Sequence, residues 1–420
     1  MDIWEFCKEN ICVSIYGCGR YGHILKNKLE DRGIKVDSFI LSDDNKKPEE
    51  NSQGLPVFHL SEWTAIYSYC RAGILISVSE EYQKEILLNL KAKGIENYFL
   101  VSNQIFDIKK IGIMDSTVGA CNHGNEIIMQ AVNKYLLPKY EKDFVFRFPF
   151  FDEISQHSIQ YMKRCRYLFL GGTNALNSEM DVKKYIGVNE KDIGDLKNKI
   201  ILMGVGWLRY EDNPNRYTQN ILSKILNREI FHSVRDSYTE KKLRAIGINN
   251  VLNTGCPTIW GLTKEHCSQI PTRKADEVIV MLTPGYTAQN EKLLEIVKNS
   301  YKKIYFWVQS DMDYGYIRLL CPDAIQIPSQ LEKLEQFLTA NEKIDYVGTR
   351  LHGGIKCLQH KKRTIILAID NRASEMKKDF NLPVILPEDM EKLNEAIHGE
   401  YLTDIHIPEE NIEKWVQQFG

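Results

Sequence analysis

Ile344-Asp345-Tyr346-Val347-Gly348-Thr349-Arg350-Leu351-His352-Gly353-Gly354 is the stretch on which the fold turns. Its first four residues predict a short buried strand, and Ile355 to His360 predicts a helix start. An arginine and a histidine two apart therefore sit on a glycine-flanked turn at the carboxyl end of a strand. In open α/β sheets that is where ligands bind. The glycines admit a ligand close to the backbone, and free N–H groups at a helix start favour an anion. Arg350 suits a phosphate or carboxylate, and His352 suits proton transfer. A lone R-x-H also fits a salt-bridged arginine and a capping histidine. The next predicted strand, Thr364 to Ile369, ends in Asp370-Asn371-Arg372, so a second cation is expected beside the first.

Working outward, parallel βαβ patterns fill the chain. Ile11 to Tyr16 predicts a strand, followed by Gly17-Cys18-Gly19-Arg20-Tyr21-Gly22 and a helix. A second strand, Val36 to Leu41, ends at Ser42-Asp43-Asp44. Gly17, Gly19 and Gly22 have dinucleotide-type spacing in the required context, and Asp43 is placed for a ribose hydroxyl or for capping the next loop. A linker is expected near Asp107 to Lys110. Beyond it, Asn122 and Gly124 feed a helix, with Asn125 beside them. Later strands run out into Gly171-Gly172-Thr173-Asn174, Gly204-Val205-Gly206 and Arg235-Asp236. Strands that all end in small or polar residues imply a cleft along one sheet edge. Trp415 and Phe419, four apart on a final helix, read as a packing face. The expected fold is α/β with three Rossmann-like parallel-sheet units, over residues 1–108, 109–272 and 273–420.

Composition narrows the function. The chain has 420 residues, 43% of them hydrophobic, enough for several cores. A net charge of −2 argues against nucleic acid as partner. No apolar run approaches the ~20 residues that span a bilayer. The acidic opening Met1 to Phe6 does not read as a signal peptide. Ten cysteines without metal-ligand spacing read as buried thiols of a reducing cytoplasm.

Taken in order, several short pieces resemble the polysaccharide pyruvyl transferase family over about residues 111–390. They are Asn122-His123-Gly124, Leu170-Gly171-Gly172, Gly204-Val205-Gly206, Ser233-Val234-Arg235-Asp236-Ser237, Gly255-Cys256-Pro257, Gly348 to His352 and Ile369 to Arg372. Two positions depart from the family pattern: Asn125 stands where aspartate is usual, and Arg372 near where lysine is usual. The resemblance implies a GT-B-like two-domain cleft formed by the last two units. It also implies transfer of pyruvate from phosphoenolpyruvate to a sugar hydroxyl pair as a ketal. Arg235, Arg350 and Arg372 would then hold the donor's phosphate and carboxylate, with His352 as general acid and no obligatory metal or cofactor. Asn122, Gly124, Asn125, Gly171, Gly172, Thr173, Asn174, Gly204 and Gly206 are the cleft and acceptor candidates. Asp236 and Asp370 are candidates for a base, or partners of the arginines beside them.

The implied acceptor is a sugar that is lipid-linked, nucleotide-linked or part of an oligosaccharide. Implied localisation is cytoplasmic, with Lys361-Lys362-Arg363 and Lys377-Lys378 as basic clusters for the inner membrane face or as solvated helix faces. The first hundred residues resemble the Rossmann-like domain at the front of sugar acyltransferases, implying a nucleotide-linked sugar at Gly17, Gly19, Gly22 and Asp43. Two other readings fit the residues: a sugar-nucleotide-dependent GT-B glycosyltransferase, and a non-catalytic sugar-binding or scaffold protein of capsule assembly.

Overall fold

The computed structural model describes residues 2–47, 51–67, 71–102, 109–183 and 192–419. The linker expected at Asp107–Lys110 lies largely outside them. The chain divides into Met1–Lys109 and Lys110–Gly420.

In the first unit, near-continuous apolar runs form a five-stranded sheet, as expected for strands covered on both faces. Its order is Val57–His59, Ser38–Leu41, Cys12–Tyr16, Ala72–Ile76, Tyr98–Leu100, with every pairing parallel. Gly17 follows the central strand with a φ of 113°, a conformation that a side chain would strain. A Cβ at Gly22 would come within 1.9 Å of the Gly17 carbonyl oxygen. These two glycines let the helix Arg20–Glu30 start against the strand it leaves.

The second unit holds two principal sheets. The first has the order Ile200–Met203, Tyr167–Gly171, Lys110–Asp115, Phe144–Pro149. The second has six strands: Ile325–Ile327, Lys303–Trp307, Glu277–Met281, Ile344–Gly348, Thr364–Leu367, Val384–Ile385. All of these pairings are parallel too. Strand order reverses between Lys110–Asp115 and Tyr167–Gly171 in one sheet, and between Glu277–Met281 and Ile344–Gly348 in the other. Such switch points open crevices at the carboxyl ends of strands. The strand Thr364–Leu367 is the direct neighbour of Ile344–Gly348, which brings Arg372 beside Arg350 as the sequence implied.

The last helix, Glu409–Gln417, returns to the first sheet. Trp415 and Phe419 bury their rings against Phe169, Trp260 and Tyr140. Gln418 exchanges two hydrogen bonds with the Phe231 backbone, at 2.8 and 3.0 Å. The nine described cysteines are all free; Cys121 is exposed and Cys12 and Cys18 are half-buried, so burial is not general. No helix among the described residues is long and apolar enough to cross a membrane.

Two local expectations are corrected. The helix expected from Ile355 begins at Leu351, so Arg350 is its N-cap and Gly353 and Gly354 lie in its first turns. A Cβ at Gly353 would meet Met281 Sδ at 2.3 Å, and one at Gly354 would meet Ile366 Cγ1 at 2.7 Å. The glycines seat the helix on the sheet; they do not open the backbone to a ligand. The cluster Lys361-Lys362-Arg363 is no solvated face either: Lys362 is buried, and Arg363 is 1% exposed and paired with Asp345. Lys377 donates to the Val384 carbonyl, and Lys378 pairs with Glu375.

Candidate active site

Residues at strand ends and helix starts of the second unit line one cleft of about 190 Å³. The first sheet contributes Gly172, Thr173, Asn174 and the start of the helix His123–Leu136. The second contributes Thr283, Gln309, Thr349, Arg350, His352 and Arg372. Arg235 enters from the end of His232–Val234.

Asn122 is an N-cap whose Oδ1 accepts from Gly124 N–H at 2.8 Å. The same oxygen accepts from Gln309 Nε2 at 3.3 Å, while Gln309 Oε1 accepts from Gly353 N–H at 3.0 Å. Gln309 thus ties together the two helix starts that face the cleft. A Cβ at Gly124 would sit 2.9 Å from Gln309 Nε2, so only glycine leaves room for this tie. Gln309, Thr283, Phe151 and Thr349 were not anticipated as site residues. Gln309 stands two residues past the strand Lys303–Trp307, and its place at a strand's carboxyl end was the available signal.

Each arginine already holds a carboxylate. Arg235, 3% exposed, donates from Nε to Asp236 Oδ2 at 2.9 Å, to Asn174 Oδ1, and to the Trp207 carbonyl at 3.2 Å. Arg350 makes a two-pronged pair with the fully buried Asp313. Arg372, about one-third exposed, pairs with Asp370 at 2.9 Å through Nε. A guanidinium has five N–H donors, so each keeps some unspent. Asp236 also caps the helix Ser237–Ala245 through Thr239 N–H at 2.7 Å. Asp370 caps the helix Asn371–Phe380 in the same way. Both aspartates are therefore helix caps and arginine partners. Burial pushes the Asp313 carboxyl up despite Arg350; Asp370 is only half-buried, and against that partial burial Arg372 holds it below its usual value.

Gly171, Gly204 and Gly206 do not line the cleft. Their absent side chains make room for Val132, for Pro257 and for the Arg235 guanidinium, which a Cβ at Gly206 would approach within 2.0 Å. In the first unit, Asp43 accepts from Ser61 N–H at 2.8 Å and pairs with Lys93 at 3.1 Å. Those contacts lower its pKa to about 2. Gly19 stands apart: it is the N-cap of Arg20–Glu30, no side chain caps that helix, and nothing lies within 4 Å of where its Cβ would be.

The profile of the polysaccharide pyruvyl transferase family matches residues 122–371. The chain belongs to the polysaccharide pyruvyl transferase family. A solved structure of a trehalose-6-phosphate synthase, studied with bisubstrate glycomimetics, covers 92% of this chain and 90% of its own. Its identity is 10% and its TM-score 0.29. A search of curated proteins gave no match.

His352 lines the cleft from the first turn of the helix Leu351–Gln359. The ring is 6% exposed, with Nε2 3.9 Å from Cys256 Sγ. Burial, then Arg372 and Arg235, lower its pKa to about 3, so the ligand-free site holds it neutral. His232, wholly buried, donates from Nε2 to the Asn227 carbonyl and accepts Leu202 N–H on Nδ1; burial lowers it to about 4. Both folded values lie below the unfolded 6.5, so the unfolded chain binds more protons between them. Stability is full above pH 6.5 and is lost as pH falls toward 3. The slope is about 1.4 kcal/mol per pH unit for each histidine while only the unfolded form titrates. Urea midpoints measured from pH 7.5 to 5 should fall, and His352→Gln should flatten the fall. Equal midpoints would contradict the buried neutral histidines.

Proposed function

We propose that the second unit moves pyruvate from phosphoenolpyruvate to two hydroxyls of a sugar, forming a ketal. The observation that carries this is the convergence of Arg235, Arg350, Arg372 and His352 on one cleft at two strand-order switch points. Phosphoenolpyruvate presents a phosphate and a carboxylate a few bonds apart. Unspent guanidinium N–H groups and two helix starts suit both groups. His352 delivers a proton to the methylene carbon, making it a methyl group. One sugar hydroxyl then bonds to the neighbouring carbon and gives up its proton. The second hydroxyl replaces phosphate at that carbon, and phosphate leaves with the second proton. The acceptor is a sugar of a surface-polysaccharide precursor, with Asn125 and Thr173 at the cleft wall to meet its hydroxyls. The side-chain amide of Asn125 makes no hydrogen bond among the described residues, so its donors and acceptor are available. Incubation with phosphoenolpyruvate and candidate acceptors should release phosphate and yield a pyruvylated sugar. Nucleotide release from a sugar nucleotide, without use of phosphoenolpyruvate, would replace this reading by glycosyl transfer.

Arg372 is the cleanest test of the donor clamp, because it is the most exposed of the three arginines. Arg372→Ala is expected to weaken phosphoenolpyruvate binding by about 1.5–3 kcal/mol, the worth of a charge-assisted hydrogen bond. Calorimetry reads this directly, and unchanged affinity would remove Arg372 from the clamp.

For the first unit we propose a nucleotide-linked sugar with its pyrophosphate at Gly19. Support comes from the uncapped helix start and the open space there; Asp43, held by Ser61 and Lys93, is left out of the site. Binding of one class of nucleoside diphosphate sugar to the full chain should vanish in Gly19→Val. No binding across uridine, guanosine, thymidine and cytidine diphosphate sugars would leave this unit an interaction role.

A further inference from the structure

Behind the cleft lies a second cavity, of about 290 Å³, in the second unit. That is close to the ~300 Å³ at which small-molecule sites begin. Its walls are the outer faces of His123–Leu136 and Leu351–Gln359, the helices whose first turns line the cleft, together with the turn Pro257–Ile259. None of the lining residues is an aspartate or glutamate, whereas Lys134, Lys356 and His266 all line it.

The cations differ in their commitments. Lys356, 5% exposed, donates to Gln130 Oε1 at 2.8 Å and Glu335 Oε1 at 2.7 Å, which leaves one of its three N–H groups. Lys134 has no carboxylate partner among the described residues, and its ammonium stands 5.3 Å from the Tyr135 ring centre. His266 donates from Nε2 to the Leu358 carbonyl at 2.8 Å. Thr258, 1% exposed, also lines it, with its hydroxyl beside the Cys256 thiol. At Gly261 a Cβ would point toward Tyr135 Oη at 3.4 Å and Lys134 Nζ at 3.9 Å, so that position looks into the cavity.

We propose that this cavity binds a small phosphate-bearing anion, with Lys134 and Lys356 on the phosphate and Thr258 and Tyr135 on its oxygens or hydroxyls. Lysine binds phosphate as a point charge, which suits two ammoniums without a fixed fork. Inorganic phosphate and a sugar phosphate share this chemistry.

The test is calorimetric titration of the full chain with inorganic phosphate and, separately, with glucose 6-phosphate. At least one probe should bind with an affinity that falls tenfold or more in Lys134→Gln and is lost in Gly261→Glu. Arg372→Ala, which alters the cleft, should leave that binding unchanged. Tighter binding of glucose 6-phosphate than of phosphate identifies a sugar phosphate as the occupant; equal binding identifies the free ion. The proposal is overturned if neither probe binds, or if all binding persists in Gly261→Glu and disappears in Arg372→Ala. Circular dichroism of each variant establishes that it is folded. The outcome does not depend on which reaction the cleft performs.

Discussion

His352→Gln is expected to cut turnover by about 10²–10⁴-fold, the usual worth of a positioned proton donor. Glutamine keeps the polar bulk at the start of Leu351–Gln359 and removes only the titrating group. Donor affinity should change much less. The pH profile carries a further signature. In the empty site Arg235 and Arg372 help hold the ring neutral, near a pKa of about 3. A bound phosphate and carboxylate reverse the sign of that field and raise the pKa in the complex. Binding should therefore take up a proton, visible as a calorimetric heat that changes with buffer ionisation enthalpy. Turnover should decline as pH rises past the pKa of the complex, because the donor must be protonated. Near-normal turnover in a folded His352→Gln protein ends the assignment.

The second large effect is on stability. Arg363→Ala is expected to cost about 3–5 kcal/mol, as removal of one partner from a buried ion pair does. Arg363 donates to Asp345 Oδ2 at 3.1 Å and to the carbonyls of Ala396, Ile397 and Gly399, over the face of Tyr401. Asp345 also accepts from Tyr301 Oη at 2.8 Å. Without the guanidinium a carboxylate already pushed up by burial is left with no counter-charge. Urea unfolding should show the loss, and the pair Arg363→Met with Asp345→Asn should recover much of it. A loss below about 1 kcal/mol would mean that the pair is solvated.

The strands themselves were legible because parallel strands buried on both faces are short apolar runs, as Ile200–Met203 and Thr364–Leu367 are. The approach of Arg350 to Arg372 followed from the order of strands. Contacts across the sequence were not legible. Asp313 pairs with Arg350 from 37 residues away, and no local pattern marks it. Gln309 was visible only as the residue after a strand, and its tie to Asn122 spans 187 residues. Glycines misled for a related reason. Gly206 and Gly354 look like turn residues in a string of letters, and only three dimensions reveal the guanidinium and the isoleucine that occupy their missing side chains. In Lys361-Lys362-Arg363, charge was read as exposure, whereas Arg363 finds a carboxylate and several carbonyls inside.

The returning helix has a consequence for synthesis. Phe169 and Trp260 lie in the first half of the second unit, and their aromatic partners Trp415 and Phe419 follow about 250 and 150 residues later. At ~5–20 residues per second, Phe169 waits roughly 12–50 s for its partners on the ribosome. Through that interval the early half presents an uncovered aromatic face, and the nascent chain is most open to chaperones there. Placing residues 409–419 ahead of Lys110 in the sequence should shorten that exposure.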